Sequence, residues 1–160
     1  MSAFDPNLFL DAQQTEVNEK RPPLPVENPA ATDHLYVAQI GEVKTASGTI
    51  EKGDRIGRPW LSMIVPLQID VPAQLQEAMK LPPRITLTDR VFIDLTDQNT
   101  IDNSPGRNRR QKMYRDALDL NQPGVVFSWR QVQGRVVKVK IDHEMYEGAV
   151  QERVGQILPS

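Results

Sequence analysis

Cysteine is absent from the 160 residues, and histidine occurs only at positions 34 and 143. The first absence removes disulfide frameworks, thiolate nucleophiles and zinc–thiolate sites together. The second leaves little to work as acid or base near neutral pH. No apolar run reaches the roughly 18 residues that a membrane-spanning helix needs. No charged segment followed by an apolar core opens the chain, so a secretory leader is not expected and the cytoplasm is the expected location. Walker loops, nucleophile elbows and His-Glu-x-x-His are all missing. Gly48, Gly53 and Gly57 lie in a polar stretch, but they lack the strand-to-helix context of a phosphate-binding loop. Catalysis is hard to build from such an inventory.

What is present describes a soluble globular chain: 39% hydrophobic and 25% charged residues, enough for one compact domain and a tail. The net charge of −2 hides an asymmetry. Residues 1–33 carry six acids and two bases, whereas 107–140 carry nine bases against Asp116 and Asp119 alone. A basic region of that density inside an acidic protein is either a footprint for a polyanion or a solvated helix face.

Residues 1–33 show no sustained period. Phe4, Leu8 and Phe9 could share a short amphipathic turn, and four prolines between Pro22 and Pro29 favour an extended chain. This segment reads as an extended or disordered, acidic and Pro-rich arm, either mobile or clamp-like. Strands are expected at His34–Lys44, Trp60–Val71, Arg84–Thr96, Arg135–His143 and Ala149–Leu158, the last two joined by a turn at Glu147-Gly148. The second is the cleanest, with Leu61, Met63, Val65, Leu67, Ile69 and Val71 alternating against Trp60, Ser62, Ile64, Pro66, Gln68 and Asp70. Thr45–Arg58 and Asp97–Gly106 read as loops, Pro72–Leu81 as a short helix, and Ser128–Gly134 as one helical turn.

Between the third and fourth strands, Arg107–Leu120 is the strongest helical signal. Met113, Tyr114, Ala117, Leu118 and Leu120 form one stripe, with capping residues in Asn103-Ser-Pro-Gly and a stop at Asn121-Gln-Pro-Gly. Strand, strand, strand, helix, strand, strand is the connectivity of a five-stranded OB barrel, an all-β fold with a helix between strands 3 and 4. A β-sandwich is the competing fold, but it would want more strands and no central helix.

Binding chemistry is better supplied than catalytic chemistry. Single strands of nucleic acid are held by cations along the phosphates and by aromatic faces that stack bases. Trp60, Arg90 and Phe92 fall on the polar faces of the second and third strands, with Lys138 and Lys140 on the fourth. Arg58, Arg107, Arg109, Arg110 and Lys112 come from loops and the basic helix, and Tyr36 joins them if its side of the first strand is open. A Trp or Phe in a strand is more often core. Trp129 and Tyr114 are expected to plug the barrel. Asp94, Asp97 and Asp102 could bind Mg²⁺, although acids at a strand end more often cap turns. His143 beside Asp142 and Glu144 reads as a solvated hairpin end, since strand neighbours point to opposite faces.

Several segments together carry a family likeness over roughly residues 34–158. They are Tyr36-Val-Ala-Gln-Ile-Gly-Glu-Val-Lys44, Asp102-Asn-Ser-Pro-Gly-Arg-Asn108, Phe127–Ile141 and the closing hairpin from Tyr146 to Leu158. In these the chain resembles phage-encoded single-stranded DNA-binding proteins with an OB fold. The resemblance implies sequence-tolerant coating of single strands during replication or recombination, cooperatively or as a homo-oligomer, in the host cytoplasm, with no cofactor and no enzymatic activity. Such proteins commonly carry an acidic tail at the C-terminus. Here the acidic segment is N-terminal, and it is expected to pack on a neighbouring subunit instead. The rival readings are a phage assembly protein that binds other proteins and a metal-dependent nuclease built on Asp94, Asp97 and Asp102.

Overall fold

A computed structural model describes residues 3–160 as a mostly-β chain of six antiparallel strands and two α-helices. The strands are β1 (Tyr36–Ile40), β2 (Lys44–Thr49), β3 (Pro59–Asp70), β4 (Arg84–Ile93), β5 (Val136–Tyr146) and β6 (Ala149–Leu158). Helix α1 (Ala73–Met79) lies between β3 and β4, and α2 (Arg109–Ala117) lies between β4 and β5. Hydrogen bonding orders the sheet β2-β3-β1-β5-β6, with β4 on the other edge of β3.

The sixth strand arises where the first expected one breaks after Ile40 and resumes at Lys44, its last expected residue, to run on to Thr49 inside the expected loop. β2 is polar and mostly exposed, so it carries no apolar alternation to read. The break sits opposite Pro66. β3 pairs with β2 through Ile64 and with β1 from Leu67 onward, so the proline falls where one partner gives way to the other. A residue without an N–H is tolerated at such a gap. Gly41 donates its N–H to the Pro66 carbonyl at 2.8 Å. A Cβ at Gly41 would stand 3.0 Å from the Pro66 ring, so only a bare backbone approaches this closely with ease.

Alternation decides the rest. Val65, Leu67 and Ile69 of β3, Ile85, Val91 and Ile93 of β4, and Val137, Val139 and Ile141 of β5 all point into one core. The β5–β6 hairpin turns at Glu147 and Gly148, whose φ of 49° and 79° are those of a type I′ turn, as the Glu-Gly pair leads one to expect. Helix α2 is shorter than the expected Arg107–Leu120. Asn108 precedes it in the left-handed region (φ 51°), its side chain spent on the backbones of Asp94 and Asp102 rather than on the helix.

Among the described residues no backbone ladder joins β4 to β6. Helix α2 spans that gap with side chains. Arg110 Nε donates to both carboxylate oxygens of Asp89 on β4 at 3.0 Å, and its Nη2 donates to the Val154 carbonyl of β6 at 2.8 Å. The Tyr114 hydroxyl donates to the same carboxylate at 2.7 Å. Asp89 is only 7% exposed, and burial, with the nearby carboxylate second, drives the Tyr114 hydroxyl's pKa far up, so it stays a donor. Arg110 is thereby corrected from a candidate phosphate ligand to the tie between two strands.

The arm is fixed near its base. Leu24 is fully buried, its N–H donates to Glu152 Oε2 at 3.0 Å, and its carbonyl lies 2.6 Å from the His143 ring. Arg21 pairs with Glu152 as well. Tyr36, a candidate only if its side of the first strand were open, is buried and donates its hydroxyl to the Pro25 carbonyl at 2.8 Å. Burial pushes its pKa up to about 12. Tyr36 therefore holds the arm and has no face open to a base, and His143, exposed on its hairpin as expected, also meets the arm through the Leu24 carbonyl.

Replacing Arg110 by Ala leaves the buried Asp89 carboxylate without its cation and frees the Val154 carbonyl. Losing one partner of a buried pair costs about 3 kcal/mol. Urea unfolding of Arg110→Ala should show that loss; a shift under about 0.5 kcal/mol would mean that the tie is dispensable.

Candidate nucleic-acid interface

The residues of β3 that do not enter the core face outward with those of their partner strands. Cross-strand partners in an antiparallel sheet share a face. Lys44, Ile64 and Arg90 therefore form one row, Ala46, Ser62 and Phe92 the next, and Gly48 and Trp60 a third. This is a platform three strands wide. Phe92 is 58% exposed, Trp60 is half-buried, and their ring centroids are 6.0 Å apart at 59°. The Arg90 guanidinium carbon stands 5.8 Å from the Phe92 ring centre. The expected trio of Trp60, Arg90 and Phe92 is thus gathered in one place.

Two neighbours escaped the sequence. A Cβ at Gly48 would meet the indole at 2.7 Å, so glycine on β2 is what lets Trp60 lie down over the edge strand. Reading Lys44–Thr49 as a strand would have revealed that pairing. Lys44 is exposed and has no acidic partner among the described residues, and it brings a cation to the platform row opposite Arg90. Beneath the rings, Ser62 is fully buried although it belongs to the outward face, and its Oγ finds no partner among the described residues. A small side chain there lets the rings settle onto the sheet.

The remaining cations do not converge on this platform. Helix α2 lies on the side of β4 to which Asp89 points, whereas Arg90 and Phe92 point the other way. Arg107 sits 3.8 Å from Asp102, and Lys112 is paired with Asp116 at 2.6 Å. Among the described residues Arg109 has only the Gly106 carbonyl, at 3.3 Å. Lys138 is paired with Asp33 at 2.7 Å, and Lys140 is exposed and unpaired among the described residues. Both project from β5. Lys138 stands opposite Val37, one step beyond the Ala38–Ile69 pair, hence level with Asp70. Along β3 that is about 33 Å from Trp60. The basic residues from 107 to 140 are therefore distributed over several sides of the molecule.

Nearer the rings, Arg58 and Arg55 border a small cavity of about 160 Å³ together with Trp60 and Asp94, and Arg58 is bridged to Asp97 at 2.8 Å. Asp94, Asp97 and Asp102, the three acids expected as a possible metal site, are each engaged. Asp94 Oδ2 accepts from the Asn108 N–H at 2.7 Å, and Asp102 Oδ1 accepts from Ser104. The Ser104 bonds hold the Asp102 carboxyl below the usual carboxylate range. Lys138 does the same to Asp33, and Lys112 to Asp116. Among the described residues no three His, Asp or Glu side chains are grouped to hold a metal ion. No helix among them is long and apolar enough to cross a membrane.

Comparison with known proteins adds no assignment: no protein-family model matches the chain, and no curated protein matches it either.

Gly48 gives the platform a direct test. Gly48→Val should lift the indole off β2, shifting the tryptophan emission maximum to the red and increasing its quenching by acrylamide. An unchanged spectrum would mean that Trp60 does not rest on Gly48.

Proposed function

We propose that this protein binds single-stranded DNA on the outer face of β2, β3 and β4, without sequence preference, with Trp60 and Phe92 stacking bases. In this reading the six strands form an OB-type barrel whose first strand is bent at Gly41, and α2 closes the seam between β4 and β6. The observation that carries the proposal is the exposed, tilted Trp60–Phe92 pair flanked by Arg90 and Lys44. Rings on a solvent-facing sheet are costly to leave bare, and every base offers them a flat partner whatever its identity. Lys44 and Arg90 would contact phosphates on either side of the rings. Arg55 and Arg58 would extend the track past the Trp60 end, Arg58 after exchanging Asp97 for a phosphate. Coating of exposed strands in phage replication or recombination is the role that follows.

A titration of intrinsic fluorescence with oligo(dT), without divalent metal, tests the proposal. Four phosphate contacts on a single strand give a slope of log K against log salt of about −3. Trp60 emission should quench on binding. Phe92→Ala should weaken binding about 5- to 100-fold while leaving the unfolding midpoint in place, as loss of one stacked base requires. Absence of salt-sensitive binding, or full affinity in a Trp60→Ala, Phe92→Ala double variant, rejects the reading.

A further inference from the structure

Two features of the chain lack partners, and each has the character the other needs. At the N-terminal end, Pro6–Phe9 form a 3₁₀ turn in which the Asp5 side chain accepts from the Asn7 N–H at 3.0 Å. The turn holds Phe4 and Phe9 with ring centroids 5.4 Å apart and leaves Phe4, Leu8, Phe9 and Leu10 between 62% and 83% exposed. Every charged residue from 3 to 19 is acidic: Asp5, Asp11, Glu16 and Glu19. The result is an apolar knob on an acidic tether.

A cavity of about 820 Å³ opens between β2, α2 and the turn Trp129–Val132, within the range of sites that take a substantial ligand. Val43, Met63, Phe127 and Trp129 supply apolar walls, and the cations Arg115 and Arg130 outnumber the one acid of the lining, Glu42. Arg115 is stacked 5.0 Å from the Phe127 ring centre, and neither arginine has a carboxylate partner among the described residues. Within the wall, Gln111 is 5% exposed, and its orientation is decided by its neighbour. Trp129 Nε1–H can only donate, so the Gln111 oxygen accepts from it at 2.9 Å. The amide nitrogen is left as a donor with no acceptor in the described chain. An occupant should therefore bring apolar bulk, negative charge and a carbonyl or carboxylate oxygen.

We infer that the Phe4–Leu10 knob of one copy docks in this cavity of a second copy, joining protomers head to tail. The arm is fixed at Leu24, and the 15 residues from there to Phe9 can reach about 50 Å when extended, enough to pass beyond the domain. In the single chain the knob stays exposed and the cavity stays open, so one copy by itself leaves both unsatisfied. A contact between two different surfaces of the same chain propagates into a ring or an open filament. The cavity lies under the opposite face of β2 and β3 from Trp60, since Thr45 pairs with Met63 and both line it. Docking therefore leaves the platform uncovered, and the inference stands whether or not that platform binds DNA.

Sedimentation of the full-length chain without nucleic acid tests it. Wild type should form concentration-dependent oligomers. A knob variant (Leu8→Asp, Phe9→Asp) and a cavity variant (Thr45→Glu, Arg130→Glu) change exposed residues only, and each alone should self-associate at least tenfold more weakly. Mixed, they should give a one-to-one heterodimer and nothing larger, because only one knob and one cavity remain competent. A wild type that stays monomeric, or variants that assemble as wild type does, overturns the inference. So does a cavity variant that loses oligo(dT) affinity as a monomer, which would make the cavity a nucleic-acid site. Retained affinity per protomer supports the docking.

Discussion

The two-residue period of β3 is the constraint from which both surfaces of the molecule follow. Its odd-numbered residues build the core with β4 and β5, so its even-numbered residues are obliged to face out. A one-residue slip would bury Trp60 and expose Val65, and burying apolar side chains on only one register forbids it. The platform is thus fixed by the same packing that makes the fold. Partner strands then set its chemistry: β2 contributes glycine and lysine, and β4 contributes arginine and phenylalanine. Ser62 shows what this costs. Its buried, unpaired hydroxyl is worth roughly 1–3 kcal/mol of instability, which the surrounding apolar burial offsets.

Positive charge in sequence proved a poor guide to positive charge in one place. The nine bases between 107 and 140 fall on a helix, a turn, a strand and the loops beside them, and three are paired with acids within hydrogen-bonding distance. Arg110 spans β4 and β6 where no backbone ladder does, and that role asks for a long side chain with a planar fork of donors. A helix turned toward a seam places its cations there, whatever a polyanion elsewhere would prefer.

The strong alternations and the α2 stripe were legible because each repeats a period over many residues, and Val65, Leu67, Ile69, Tyr114 and Trp129 all lie in the core as expected. The β2 strand was not, because Lys44-Thr-Ala-Ser-Gly-Thr49 is half-exposed on the sheet edge and carries no apolar face. Which side of the first strand is open at Tyr36 could not be read for a related reason. Its alternation is that of an ordinary strand, and nothing local says that residues 21–28, far away in sequence, return to cover it. Of the site, Trp60, Arg90 and Phe92 could be found from strand parity alone. Gly48 and Lys44 need the pairing of β2 with β3, which is a tertiary fact.

The platform's size also bears on how it could work. Two rings stacking one base each supply about 2–6 kcal/mol. Association costs at least about 4 kcal/mol in lost translation and rotation before any side chain is ordered. A single protomer holding a single strand in this way would release it easily, unless the charge of Arg90 and Lys44 is helped by low salt. A link between protomers changes that balance without adding a contact to the strand, because a neighbour already attached meets its nucleotides at a high effective concentration. An arm anchored at Leu24 and ending in exposed aromatic residues is the part of this chain that could provide such a link. Under the proposed reading, the weakness of the platform and the reach of the arm would be one design, in which shallow, sequence-independent binding draws its residence time from assembly.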